Sequence, residues 1–142
     1  MIKIPKPVMR GIFDHMEQAY PYECCGLMIG TFNGDERLVH TFRKCKNLNT
    51  ERARDRYDLD PLDMLRTQRE FQDGPWDIIG IYHSHPDHPA APSAFDAEHA
   101  WPWYSYLIVR VDHGRAADLA SWVLDDEGRL MQSESLEVLS EV

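Results

Sequence analysis

Cysteine is scarce in this sequence: three in 142 residues, at Cys24, Cys25 and Cys45. An odd, low count rules out a disulfide framework and fits a reducing compartment. Adjacent Cys24 and Cys25 face opposite sides of a strand, which makes them poor partners for each other and poor joint metal ligands. Long apolar runs are missing too, since nothing approaches the roughly 18 residues that a membrane span needs. Met1-Ile2-Lys3-Ile4-Pro5-Lys6-Pro7 carries charge but no uninterrupted apolar stretch behind it, so no secretory signal is expected and the cytoplasm is the expected location. Basic residues are the minority, 15 against 24 acidic, for a net charge of -9. That balance argues against nucleic acid and against an anionic membrane surface as partners, because phosphate binding needs a basic face. The acidic surface is explained by solubility, with a salt-rich cytoplasm or a basic partner surface as sharper alternatives. Repeats, low-complexity tracts and linkers are absent.

What remains suits one domain spanning residues 1–142. At 43% hydrophobic and 27% charged, the chain can bury a core without a structural metal, so a metal site here is functional rather than a folding staple. Val8, Met9, Ile12, Phe13, Met16, Ala19 and Tyr20 form one face of an amphipathic helix, with Pro7 in its first turn and Pro21 ending it. A buried strand is predicted from Cys24 to Ile29, closed by Gly30. A turn at Asn33-Gly34 follows, then a return strand from Leu38 to Phe42 that extends toward Cys45. Residues 46–56 read as a polar loop and Tyr57-Asp58-Leu59 as a short strand. Asp60 caps a second helix from Leu62 to Phe71, with Pro61 at its start and Leu62, Leu65 and Met64 inward. Further strands are expected at 77–82, 104–111, 117–124 and from Leu130 onward, with a short helix at 93–100. The sum is an α+β fold with a curved, mostly antiparallel sheet and a few helices.

The chemistry concentrates between Ile79 and Asp96, IGIYHSHPDHPAAPSAFD. His83 and His85 sit on one face at the end of a predicted strand, their Cα atoms about 7 Å apart. From there both imidazoles reach a single ion at about 2 Å. Asp96 lies in the first turn of the next helix, beyond a loop stiffened by Pro86, Pro89 and Pro92. Two imidazoles and a carboxylate leave a four-coordinate zinc with one open position, the pattern of a catalytic site. A water in that position needs a carboxylate base nearby, and spacing does not single one out among 24 acidic residues. Ser93 is a candidate oxyanion donor, and Ser93-x-x-Asp96 is equally close to a helix capping box. His88 and His99 compete as ligands, while His15, His40 and His113 read as surface or satisfied polar residues.

His83-Ser84-His85-Pro86, six residues, Ser93, two residues and Asp96 resemble the JAMM signature of the MPN-domain zinc metalloproteases. Tyr22-Glu23-Cys24-Cys25-Gly26-Leu27, Tyr57-Asp58-Leu59-Asp60-Pro61 and the run from Trp101 to Val109 resemble the small bacterial, sulfur-carrier-processing (Mec-like) members. The likeness covers nearly the whole chain and implies a single MPN-like domain. It implies one Zn2+ held by His83, His85 and Asp96, with Glu23 as general base and Ser93 stabilising the tetrahedral intermediate. It also implies a zinc metallopeptidase, a hydrolase that cuts the bond after the C-terminus of a ubiquitin-like sulfur-carrier protein. The chain is too short for the large insertions with which the deubiquitinases of the family grip ubiquitin.

Three alternatives stand beside that expectation. One is a deubiquitinase-like isopeptidase. Another is a non-catalytic MPN scaffold, which the filled ligand positions disfavour. The third is a zinc deaminase, which the absence of His-x-Glu and Cys-x-x-Cys disfavours. The sequence leaves oligomeric state and leaving group open.

Overall fold

A computed structural model describes residues 1–140. Among them the chain forms β1 (Ile2–Pro5), α1 (Lys6–Ala19), β2 (Cys25–Asn33), β3 (Glu36–Cys45), α2 (Pro61–Phe71) and β4 (Asp77–Pro86). It continues through α3 (Ala94–Glu98), β5 (Ser105–Asp112), β6 (Arg115–Leu124), β7 (Met131–Glu134) and β8 (Leu136–Leu139). The strands make one sheet in the order β7-β6-β5-β4-β2-β3-β1-β8. Ser135 alone separates β7 and β8, which stand at opposite ends of that order. The sheet therefore curls until its two edges meet, and the Ser135 carbonyl accepts a 2.9 Å hydrogen bond from the Ile2 amide of β1. Glu134 of β7 reaches Arg37 of β3 across the same seam, 3.7 Å away, and accepts a 2.6 Å bond from Ser121.

Local chemistry explains the elements. Pro7 sits in the first turn of α1, and Met9, Ile12 and Met16 are buried three and four residues apart. Gly34, at φ 64°, makes the β2–β3 turn, as Asn33-Gly34 predicts. Asp60 caps α2 by accepting from the Leu62 amide at 2.9 Å. Strand alternation divides the interior in two. Cys24, Met28, Tyr82, Leu107 and Val109 pack with α1 on one face. Cys25, Leu27, Ile81 and Tyr106 face Tyr57, Met64 and Phe71 on the other. Cys24 and Cys25 thus point to opposite faces, as expected. His83 and His85 continue the row of Ile81, on the α2 side.

Several expectations need correction. The sheet is mixed rather than mostly antiparallel: β4–β5, β1–β3 and β1–β8 are parallel. Strand β1 was not anticipated, because four residues show too little periodicity, and its pairing is supplied by β3 and β8. Two strands follow Leu130, where one was expected. β2 runs on past Gly30 through a bulge. There a Cβ would come within 1.9 Å of the Leu38 carbonyl oxygen. Tyr57-Asp58-Leu59 is no strand; only an isolated bridge links Asn47 and Leu59. Leu62 and Leu65 are exposed, while Met64 faces inward as expected, joined by Thr67 and Phe71. That stripe has the same helical spacing, so the sequence pattern did not choose between the two faces.

Gly26 lies opposite Tyr82 in the β2–β4 register, and a Cβ there would fall 2.2 Å from the buried Tyr82 ring. Gly26→Ala is expected to cost about 1–3 kcal/mol in urea unfolding, because the overpacked ring has nowhere to move. Unchanged stability would show that the ring shifts freely.

Candidate metal centre

β4 carries His83 and His85 on one side and Ser84 on the other. Ser84 ties the strand to the segment before β2. Its Oγ accepts from the Cys24 amide at 3.0 Å, and its own amide donates to the Cys24 carbonyl at 3.1 Å. This tether sets Glu23 beside the two histidines. The third wall comes from the loop that brings α3 back over the strand end. Ser93 and Asp96 form a full capping box. The Asp96 amide donates to Ser93 Oγ at 3.1 Å, and the Ser93 amide donates to Asp96 Oδ2 at 2.9 Å. The capping reading and the ligand reading of this pair are therefore compatible.

Three atoms converge. His83 Nε2 and His85 Nε2 stand 3.1 Å apart, and Asp96 Oδ2 lies 3.3 Å from the first and 3.1 Å from the second. All three side chains are buried. His85 Nδ1 is 2.7 Å from the Pro89 carbonyl oxygen, an acceptor only. With a metal bound, that contact would keep the His85 proton on Nδ1 and free Nε2 for the ion. A triangle of potential ligand atoms with edges of 3.1–3.3 Å matches one face of a tetrahedron around zinc. Zn–N and Zn–O bonds of about 2.0–2.1 Å give an edge of about 3.3 Å.

The electrostatics agree. Burial pushes His83 below its usual range, toward the neutral form that binds metal. Burial alone would raise Asp96, but hydrogen bonds with His83 and His85 hold it well below the usual carboxylate range. Glu23 behaves oppositely. Burial, then Asp96, then Asp55 push it up to about 9. Neither Glu23 oxygen has a hydrogen-bond partner, although both are buried. A Glu23 oxygen and the two imidazoles still lie within 4.8 Å of one another. An unpartnered carboxylate inside a protein is costly, and here it faces a cradle shaped for a cation. The residues present fit a zinc ion.

Ser93 is in place through its cap. His88 stays outside the triangle: its ring stacks on His85 with centroids 4.1 Å apart, and its Nε2 is 3.9 Å from Glu23. His99 is exposed and turns its Nδ1 to the Phe95 carbonyl at 2.8 Å. Of the remaining histidines, His15 is 2.7 Å from the Tyr82 hydroxyl, His40 stacks on Trp76, and His113 is exposed. Beside Asp96 opens a largely apolar cavity of about 360 Å³, lined by Tyr57, Leu59, Met64, Phe95 and Trp101 among others. Sequence reasoning passed over Ser84, Asn47 and Tyr57. Ser84 had a signal, its place between two ligands on a strand, which forces it to the opposite face. Tyr57 lies in a segment that resembles the small bacterial members, but its place beside His83 had no signal, and Asn47 had none, because their partners are distant in sequence.

A family described as prokaryotic homologs of the JAB domain matches residues 5–125. A protein named desampylase from Haloferax volcanii is 38% identical over 93 residues, which covers 65% of this chain and 65% of that protein's own length. A solution structure from Desulfitobacterium hafniense superposes with a TM-score of 0.85 at 30% identity, covering 100% of this chain and 95% of that one. The crystal structure of a JAB1/MPN domain protein from Archaeoglobus fulgidus has a TM-score of 0.62 at 16% identity, covering 96% and 98% respectively, and shares the fold.

The raised Glu23 makes the metal-free protein pH-sensitive. Folded Glu23 keeps a proton that the unfolded chain releases above about 4.5, so this contribution to stability falls as pH rises from there toward about 9. With metal chelated, Glu23→Gln is expected to be more stable than wild type at pH 8 by at least ~1 kcal/mol, the margin shrinking toward pH 4. Parallel urea midpoints at the two pH values would contradict the assignment.

Proposed function

The chain belongs to the family of prokaryotic homologs of the JAB domain, and on that footing we propose that it is a zinc-dependent peptidase acting at the C-terminus of a ubiquitin-like carrier protein. The observation that carries this reading is the buried triangle of His83 Nε2, His85 Nε2 and Asp96 Oδ2 beside an unpartnered Glu23. The relative named desampylase is in keeping with an enzyme. A sulfur-carrier protein as the substrate rests on the likeness of the Glu23 and Tyr57 segments to the small bacterial members.

His83, His85 and Asp96 would hold the ion. Zinc bound by two imidazoles and one carboxylate supplies a Lewis acid and acidifies water in its open position. Glu23 supplies the base. With its carboxylate near the two imidazoles and free of other hydrogen-bond partners, it would take a proton from the attacking water and hold it at a carboxyl oxygen. The same acid then returns that proton to the departing amine nitrogen. Ser93 Oγ accepts from the Asp96 amide, so its own O–H stays available to donate to the developing oxyanion. The apolar cavity beside Asp96 receives the extended end of the substrate, and its walls keep bulk water from the bond being cut.

The test uses a carrier protein extended beyond its C-terminal Gly-Gly, with products weighed by mass spectrometry. The wild type is expected to bind about one zinc and to release the extension at that bond. Glu23→Gln should keep the zinc and lose about 10²-fold or more in kcat. Zinc-loaded Glu23→Gln cleaving at the wild-type rate would remove Glu23 as the base. A wild type that binds no zinc at neutral pH would leave the scaffold reading in its place.

A further inference from the structure

The two imidazoles of the candidate centre are oriented by different means. His85 has its outer nitrogen on the Pro89 carbonyl, the usual second contact of a metal-binding histidine. His83 has none: its Nδ1 is buried and without a hydrogen-bond partner. Torsion about the bond to an imidazole ring is broad and roughly two-fold, so a ring without a polar anchor needs a steric one. Tyr57 is in that place. Its ring lies on the His83 ring with centroids 4.4 Å apart and planes 27° apart.

Tyr57 is itself held from both sides by one side chain. Asn47 Nδ2 donates to the Arg56 carbonyl at 3.1 Å, and Asn47 Oδ1 accepts from the Asp58 amide at 2.9 Å. These are the backbone groups immediately before and after Tyr57. Asn47 Nδ2 also donates to the Glu23 carbonyl at 3.1 Å, and the Glu23 amide donates to the Ala53 carbonyl at 2.6 Å. The irregular segment 46–60 is thus fastened to the candidate base at one end and laid against a candidate ligand at the other.

We propose that Tyr57 is a positioning residue that fixes the His83 ring for metal binding by face-to-face contact, with the Asn47 amide holding Tyr57 in place. The inference rests on the reading of His83 as a zinc ligand. It requires the ring of Tyr57 and not its hydroxyl, and it gives Tyr57 no contact with the reacting atoms.

The experiment reads zinc affinity by competition with a chromophoric chelator, and site geometry from the visible spectrum of the Co2+-substituted protein. Tyr57→Phe should match wild type in both. Tyr57→Leu should bind zinc about tenfold more weakly, the scale of loss seen when an outer contact of a ligand is removed, and should show an altered Co2+ spectrum. Asn47→Ala should shift both in the same direction. If Tyr57→Leu does not fold, Tyr57→Met fills similar volume without a flat face and reads the same quantities. Zinc affinity of the folded Leu or Met variant within about twofold of wild type, with an unchanged Co2+ spectrum, would overturn the proposal. So would a Tyr57→Phe variant as weak as the Leu variant, which would assign the effect to the hydroxyl. A wild type that binds no zinc would instead bring down the metal-centre reading, and this inference with it, so the two failures are distinguishable.

Discussion

Two imidazole nitrogens and a carboxylate oxygen held 3.1–3.3 Å apart inside a protein form an arrangement that the polypeptide has no reason to adopt for its own stability. Asp96 Oδ2 lies within hydrogen-bond distance of both ring nitrogens, and burial disfavours a second proton on His83. Glu23 adds a second buried carboxyl group with both oxygens unpartnered. Each unsatisfied buried group costs about 1–3 kcal/mol. A cation bound by His83, His85 and Asp96 would offset part of these costs, and the rest of the molecule holds the set together without one.

That means is divided between rigid and irregular parts. Strand β4 places His83 and His85 and is flanked on both sides, antiparallel to β2 and parallel to β5. Ser84 stitches its end to Cys24, and the capping box of α3 fixes Asp96 with backbone hydrogen bonds. Glu23 lies just before β2, outside any regular element, and is clamped instead by Ala53 and Asn47. Two candidate ligands ride on a strand that closure of the sheet makes stiff. The candidate base and the His83 face contact depend on hydrogen bonds from segment 46–60.

The legible parts of the fold were those with strong local patterns. Helix α1 was readable from one apolar stripe between two prolines, and the β2–β3 turn from Asn33-Gly34, because both patterns report the preferences of nearby backbone. The short strands β1 and β8 lie beyond such reasoning, since β1 is stabilised by β3 and β8, and β8 by β1, rather than by their own residues. Leu62 and Leu65 of α2 were misread as inward, though Met64 was not, because Leu62-Leu65 and Met64-Thr67-Phe71 have equivalent helical spacing. Only the position of the helix over Ile81 and Tyr106 breaks that tie. In the candidate site, His83, His85, Ser93 and Asp96 were visible because they fall within 14 consecutive residues at fixed spacing. Glu23 came from family likeness and not from spacing, since 60 residues separate it from His83.

The sequence by itself determined the three convergent donors. Side chains two apart on a strand share a face, and a proline-stiffened loop of about ten residues returns the next helix cap to that face. A low cysteine count and an ample apolar fraction set the expectation that the core needs neither a disulfide framework nor a structural metal. Tertiary structure alone decided that Glu23 is buried and unpartnered beside the donors, and that His83 has the Tyr57 ring against it and no hydrogen-bond partner at Nδ1. Those outcomes hang on contacts between segments 24 to 60 residues apart, and such distances are closed by burial of the whole sheet and not by the preferences of any one stretch of chain.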